Sequence, residues 1–341
     1  MLRSTRFAFL FIVLCLLASC AREPRELVLS GPTMGTTYTV KVVGSPTTLD
    51  AEAVRRELES VLAGIDVEMS TYRADSVISR FNANTSTDWV DVPVGLARVV
   101  AAARDISERS GGVFDITLAP LIEAWGFGPA GEPVSLPSEA QLAALRDHMG
   151  YRLLDVRLAP PALRKQHPAV TIDVNGVAPG YAVDLLAARF EAMGVHDFMI
   201  DIGGEVLARG RNARGAPWRI AVERPIDSEP TPFKILELEN ASVTTSGEYR
   251  HYYERDGQHY SHTLDPRSGH PIKSYGSVCV VGDSSLVIDA WATALNVLGP
   301  DEGLALAERE GLAVMYIVVA GDQLQARMSS AFRRVREARS K

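Results

Sequence analysis

The chain has 341 residues, 46% hydrophobic and 23% charged, with a formal net charge of −7. That length supports one large domain or two closely joined ones around a sizeable core. The acidic balance comes without any basic block or basic–aromatic stripe, which argues against nucleic acid as a partner.

The N-terminus reads as a leader. Arg3 and Arg6 precede an apolar run over 7–18, and Leu17-Ala18-Ser19-Cys20 follows. The run is shorter than the roughly 20 residues needed to span a bilayer. Residues 1–19 therefore read as an export signal with small residues before the cleavage point. The ending resembles a bacterial lipobox, which implies a diacylglycerol on Cys20 and a mature chain tethered outside the cytoplasm. Residues 20–29 are then a tether. Cys15 leaves with the leader and Cys20 takes the lipid. Cys279 stays alone in Val278-Cys279-Val280-Val281, a buried inert thiol with no disulfide partner.

The remaining elements follow in order. Residues 27–43 alternate in part and read as strands interrupted at Gly31-Pro32. Within them Thr33-Met34-Gly35-Thr36-Thr37 is either a sharp turn or a place where a ligand approaches backbone closely. Asp50 caps a helix whose face is Val54, Leu58, Val61, Leu62 and Ile65. Asp75-Ser76 caps a short helix to Phe81, and Leu96, Val99, Val100, Ala103 and Ile106 mark another, stopped by Gly111-Gly112. The segment Gly111-Gly-Val-Phe-Asp115 suits a loop closing over a flat ligand as well as it suits an ordinary connection. Trp125 and Phe127 read as core. Ser138 and Gln141 form a capping box for a helix ending at Gly150. Strands are expected over 151–158 and 169–174. Asp173 then closes a strand before a glycine turn and a helix N-terminus, an arrangement suited to phosphate or a metal ion. Further strands are expected at 198–202, 205–211, 218–223, 233–238 and 241–245, with a hairpin over Asp256-Gly257. A strand at 276–281, a helix through Leu286–Leu295 capped by Asp283 or Ser284, and a hairpin over Gly321-Asp322 complete the fold. Sequential strands with short turns predict an α+β fold: a largely antiparallel sheet flanked by helices over 30–330, with a charged tail at 331–341.

Four of seven histidines lie between His251 and His270. A zinc site there is disfavoured, because no cysteine joins them and strand alternation sends His259 and His262 to opposite faces. His262, beside the rigid Asp265-Pro266 turn, is the better general base. Arg267 and His270 read as turn or rim. Asp289 and Thr293 stand at i and i+4 on one helix face. They are hard-oxygen ligands spaced for Mg²⁺, or else a buried aspartate satisfied by a threonine.

With these residues in place the sequence resembles the ApbE family of flavin transferases. The matching segments are Thr33-Met-Gly-Thr36, Met69-Ser-Thr-Tyr72, Gly111-Gly-Val-Phe-Asp-Ile-Thr-Leu-Ala-Pro120 and Trp125-Gly-Phe-Gly128. They continue with Asp173-Val-Asn-Gly-Val-Ala-Pro-Gly-Tyr-Ala-Val-Asp184, Asp201-Ile-Gly-Gly-Glu205 and Thr245-Ser-Gly247. Last come His262-Thr-Leu-Asp-Pro-Arg-Ser-Gly269 and Asp289-Ala-Trp-Ala-Thr-Ala-Leu295. Each is weak alone; the ordered set is specific.

The resemblance implies FAD in a cleft, contacted by Met34, Tyr72, Val113, Phe114, Asp115 and Asp173. It implies Mg²⁺ on the Gly176 carbonyl and the side chains of Asp289 and Thr293, which favours the metal reading of that helix pair. It makes His262 the proton acceptor. The implied reaction moves FMN from FAD to a Ser or Thr hydroxyl of an acceptor protein and releases AMP. The implied acceptors are subunits of sodium-translocating NADH:quinone reductase or Rnf-type membrane complexes, and an anchored enzyme on the periplasmic side, on the inner membrane, would suit them. An FAD pyrophosphatase and a non-enzymatic FAD-binding lipoprotein are the alternatives. Two positions depart from the family pattern: Pro179 stands where a charged residue is usual, and Glu223-Arg224 precedes Pro225.

Overall fold

The computed structural model describes residues 25–44, 50–226, 231–247, 252–321 and 323–335. The leader, Cys20, His251, Asp322 and the tail beyond 335 lie outside them.

In chain order the elements are β1 (Arg25–Thr33), β2 (Thr36–Gly44), α1 (Ala51–Met69), α2 (Val77–Ala83), β3 (Val90–Asp91) and α3 (Val94–Arg109). Next come α4 (Ala119–Ala124), α5 (Glu139–Arg146), β4 (Leu154–Leu158), β5 (Pro161–Lys165) and α6 (Ala178–Ala192). The strands β6 (Phe198–Ile202), β7 (Glu205–Arg209), β8 (Trp218–Glu223), β9 (Pro232–Leu238) and β10 (Asn240–Gly247) follow. The chain continues through β11 (Tyr252–Arg255), β12 (Gln258–Ser261), β13 (Leu264–Asp265), β14 (His270–Pro271) and β15 (Gly276–Gly282). It ends with α7 (Ser285–Glu310), β16 (Ala313–Ala320) and β17 (Gln323–Met328).

Eight strands form the main sheet in the order β1-β2-β6-β7-β10-β15-β16-β17. Every neighbouring pair in it is antiparallel. Strand alternation serves two cores. Val278, Val280, Val314 and Tyr316 face α1, α3, α6 and α7 on one side. Cys279, Met315 and Ile317 point the other way, under Trp218, Val222, Leu236 and Leu238 of the β8–β9 ribbon. A third, smaller cluster joins Leu121, Trp125, Leu142 and Leu264. The expected α+β fold with an antiparallel sheet is therefore present.

Local signals hold where they are strong. Asp50 Oδ1 accepts from the N–H groups of Glu52 and Ala53 at 3.1 and 3.0 Å and starts α1. Ser138 and Gln141 form their capping box. Ser76, rather than Asp75, caps α2.

Four local features differ from expectation, the first two for identifiable reasons. The break at Gly31-Pro32 is absent: β1 continues to Thr33, with Pro32 opposite Thr37. Thr37 O accepts from Gly203 N on the far side, so this pair needs no hydrogen bond from Pro32, and β1 is an edge strand. The turn falls instead at Met34-Gly35, where φ is +48° and +73°. Residues 169–174 do not join a sheet. Pro161–Lys165 takes that place, pairing with β3 and β4 and filling both of its edges. The α5 helix ends at Arg146 rather than Gly150. The α7 helix runs well past Leu295, with a kink at Gly299-Pro300.

Candidate active site

The site lies where the main sheet runs short. β10 pairs with β7 only over Asn240–Val243, so Thr244–Gly247 extend beyond the β6–β7 turn at Gly203-Gly204. Into that gap opens a cleft of about 740 Å³. Its walls bring together Met34, Val113, Phe114, Asp115, Asp173, Gly176, His262, Asp289 and Thr293 from across the chain. Tyr72 does not line it. It stands 66% exposed to one side, near enough to Asp173 and Glu123 for their charges to add to the effect of burial in raising its pKa. Phe127, expected in the core, lines the cleft and sits edge-on to His262, with centroids 6.5 Å apart. Trp125 is core as expected, donating its Nε1–H to Gly269 O at 2.7 Å and stacking on Tyr260.

The floor is built by α6 and α7 crossing antiparallel, each capping the other. Asp184 of α6 accepts from Ser284 Oγ, Ser285 N and Leu286 N at 2.7, 2.8 and 3.1 Å, satisfying the first turn of α7. Asp289 of α7 returns the contact, its Oδ2 accepting from Gly180 N at 3.1 Å. That fixes the Asp289 carboxylate at the positive end of α6. Thr293 follows one turn later, and its Oγ1 lies 3.8 Å from where a Cβ on Gly176 would stand.

Charge is the main feature of the cleft. Its lining carries six carboxylates, Asp115, Asp173, Asp201, Glu205, Glu223 and Asp289, against one arginine, Arg219, and one histidine, His262. Burial first, and then repulsion from Glu205 and Asp184, push the Asp289 carboxyl well above its usual pKa. Burial and the neighbouring Asp201 raise Glu205 likewise, while Thr244 Oγ1 hydrogen-bonds it at 3.3 Å. Glu205 is the residue that sequence reasoning missed. Its motif, Asp201-Ile-Gly-Gly-Glu205, was visible, but no local signal shows that the hairpin end meets Asp289 on a helix 84 residues later.

Not every acid is available to a ligand. Asp115 Oδ1 accepts from Thr117 N and Oγ1 at 2.8 and 2.7 Å, and its Oδ2 accepts from Tyr151 N at 2.7 Å. Its carboxylate shapes the glycine loop, and Val113 and Phe114 present the flat surface. Asp173 accepts from Asn175 N and Nδ2 at 2.7 and 3.1 Å. Burial, then Glu123, raise its pKa. The corner after His262 is held by side-chain contacts. Asp265 binds Arg267 through N, Nε and Nη2 at 2.9–3.2 Å, and His270 Nε2 lies 3.0 Å from Glu139. These contacts place Arg267 and His270 in structural roles. His259 stacks on Tyr252 at 3.8 Å. Among the described residues no three His, Cys, Asp or Glu side chains converge as metal ligands. A magnesium set made of one carboxylate, one hydroxyl and one main-chain carbonyl does not need them to.

Comparison with known proteins agrees with this geometry. A family model described as the ApbE family matches residues 34–316. An FAD:protein FMN transferase from Vibrio cholerae is 37% identical over 321 residues, covering 94% of this chain and 96% of the relative. One from Escherichia coli K12 is 37% identical over 309 residues, covering 90% and 88%. The solved flavin transferase ApbE from Vibrio cholerae superposes with a TM-score of 0.84 at 36% identity, covering 92% of this chain and 99% of its own. The apo form of Pseudomonas stutzeri flavinyl transferase ApbE gives 0.84 at 42%, covering 94% and 99%. The chain belongs to the ApbE family.

Proposed function

We propose that the protein transfers the FMN half of FAD to a Ser or Thr hydroxyl of an acceptor protein, releasing AMP, with Mg²⁺ at the cleft floor. The observation that carries the metal is the acidity of that floor. A diphosphate is anionic, and the buried Asp289 and half-buried Glu205 carboxylates repel it and each other when charged. A hard divalent cation removes both repulsions. Asp289, Thr293 and the Gly176 carbonyl offer it oxygen donors at the end of the cleft, so the residues present fit the ion. When bound, Mg²⁺ would neutralise charge on the diphosphate oxygens.

The chain's own groups divide the remaining work. Val113 and Phe114, buried at 3% and 5% exposure, give the flat apolar wall a flavin or adenine ring requires. Asp173 and Met34 bound the same space. His262 takes the proton from the acceptor hydroxyl. The hydroxyl oxygen then bonds to the FMN phosphorus as the P–O bond to AMP breaks, and AMP carries away the bridging oxygen. Pro179 occupies the first turn of α6, where a missing N–H is tolerated, so its departure from the family pattern leaves the helix start intact.

Lipid attachment at Cys20, a position on the periplasmic side of the inner membrane, and acceptors among quinone-reductase or Rnf-type subunits complete the proposal. The anchor and its side of the membrane rest on the leader sequence, and the acceptors on the family resemblance. The test is to incubate purified protein with FAD, MgCl₂ and an acceptor subunit, following AMP and acceptor mass. An FMN adduct with matching AMP is expected. AMP at a rate the acceptor does not change would favour the pyrophosphatase, and FAD binding without AMP would leave only a binding protein.

A further inference from the structure

Residues 169–174 alternate like a strand, with Val170, Ile172 and Val174 fully buried, yet no strand pairs with them among the described residues. Buried main-chain groups need partners. At Ile172 one side chain supplies both. Asn82 Nδ2 donates to Ile172 O at 2.8 Å, and Ile172 N donates to Asn82 Oδ1 at 2.8 Å. A carboxamide offers a donor and an acceptor side by side, so it imitates the double contact of an adjacent strand. The next residue, Asp173, donates its N–H to Ile116 O at 2.7 Å, beside the Asp115 loop. Everything from Asp173 to Gly176 follows directly from this anchor.

Asn82 is itself held. It sits in the last turn of α2, where carbonyls lack helical partners. Lys165 Nζ donates to Asn82 O at 3.0 Å and to Asn84 O at 2.7 Å. The Lys165 side chain is 1% exposed, its ammonium lies 5.0 Å from the centroid of the Phe81 ring, and no carboxylate pairs with it among the described residues. A buried lysine spent on two main-chain carbonyls serves placement. Neither Asn82 nor Lys165 lines the cleft.

We propose that Asn82 is a positioning residue for FAD and metal binding. Its carboxamide clamp sets where the Asp173 carboxylate and the Gly176 carbonyl stand, and Lys165 fixes the clamp from behind. This inference rests on the reading of the cleft as the FAD and Mg²⁺ site.

The test compares wild type with Asn82→Ala, which removes both bonds, and Asn82→Asp, which keeps an acceptor for Ile172 N–H and loses the donor. FAD affinity is read by flavin fluorescence with and without MgCl₂. AMP release is titrated separately in FAD and in Mg²⁺, and melting temperature is recorded alongside. Asn82→Ala should raise the half-saturating concentrations of FAD and Mg²⁺ roughly tenfold to a hundredfold, the range for losing an outer support of a ligand-bearing group. Excess Mg²⁺ should recover much of its kcat, and Asn82→Asp should lie between the other two. A merely structural role would lower melting temperature and kcat while leaving both half-saturation values at wild type, and that result overturns the proposal. If Asn82→Ala does not fold, wild-type half-saturation values in Asn82→Asp overturn it equally. Wild-type protein that binds FAD but releases no AMP would sink the transfer reaction above, while the fluorescence titrations would still decide the clamp.

Discussion

Gly180→Ala tests the crossing that carries the proposed metal site. Gly180 is the third residue of α6, and a Cβ there would stand 2.6 Å from Ser285 O, 2.8 Å from Ser285 C and 3.0 Å from Asp289 Cβ. Ordinary contact begins near 3.4 Å, so 3.4 − 2.6 gives about 0.8 Å by which the helices must part. The two nearest obstacles are main chain, so no side-chain rotation relieves them. Alanine favours a helix over glycine by about 1 kcal/mol. Overpacking costs about 1–3 kcal/mol. The same movement stretches the Gly180 N–Asp289 Oδ2 hydrogen bond, and a bond to a charged group contributes about 1.5–3 kcal/mol. Steric cost wins, for a net loss of roughly 2–4 kcal/mol. At about 2 °C per kcal/mol, melting temperature should fall by about 4–8 °C. Because Asp289 moves with the helix, AMP release should drop on the order of a hundredfold, as displacements near 1 Å do. Thermal unfolding and an AMP assay check both. Wild-type melting and wild-type turnover together would show that the α6–α7 crossing does not control the site.

Other expectations follow from the same geometry. Asp289→Asn should abolish Mg²⁺-dependent AMP release yet raise stability in chelator near neutral pH. The folded pKa of Asp289 is raised, so wild-type stability is greatest near and below the unfolded value of 3.8 and declines as pH rises above it. The advantage of the variant in urea unfolding should therefore grow from about pH 4 upward; a constant difference would refute the buried-charge account. His262→Ala should slow transfer by about 10²–10⁴ while FAD affinity holds, and loss of affinity would make it a binding group instead. Cys279 is fully buried, with its thiol pKa pushed up to about 12 by desolvation. In protein lacking residues 1–24 it should ignore thiol reagents until denatured, and rapid native labelling would contradict that burial.

Much of this protein was legible in its residues because the signals are local. Asp50 and Ser138 mark helix starts by caps that act within three residues, and the short unbroken apolar run at 278–281 marks a strand covered on both faces. The ordered motifs gave the family and most of the cleft wall. What only the tertiary structure decided are meetings across long separations. The residues at 169–174 alternate like a strand, which is why a strand is expected there, but both edges of β5 are already filled, so Asn82, 90 residues away, is the partner of Ile172 instead. Glu205 joined the site because β7 begins where α7 passes, and Tyr72 stayed outside the cleft lining. Periodicity and caps are written in neighbouring residues. Which sheet edge is free, and which buried charge faces which, is set only when the elements pack.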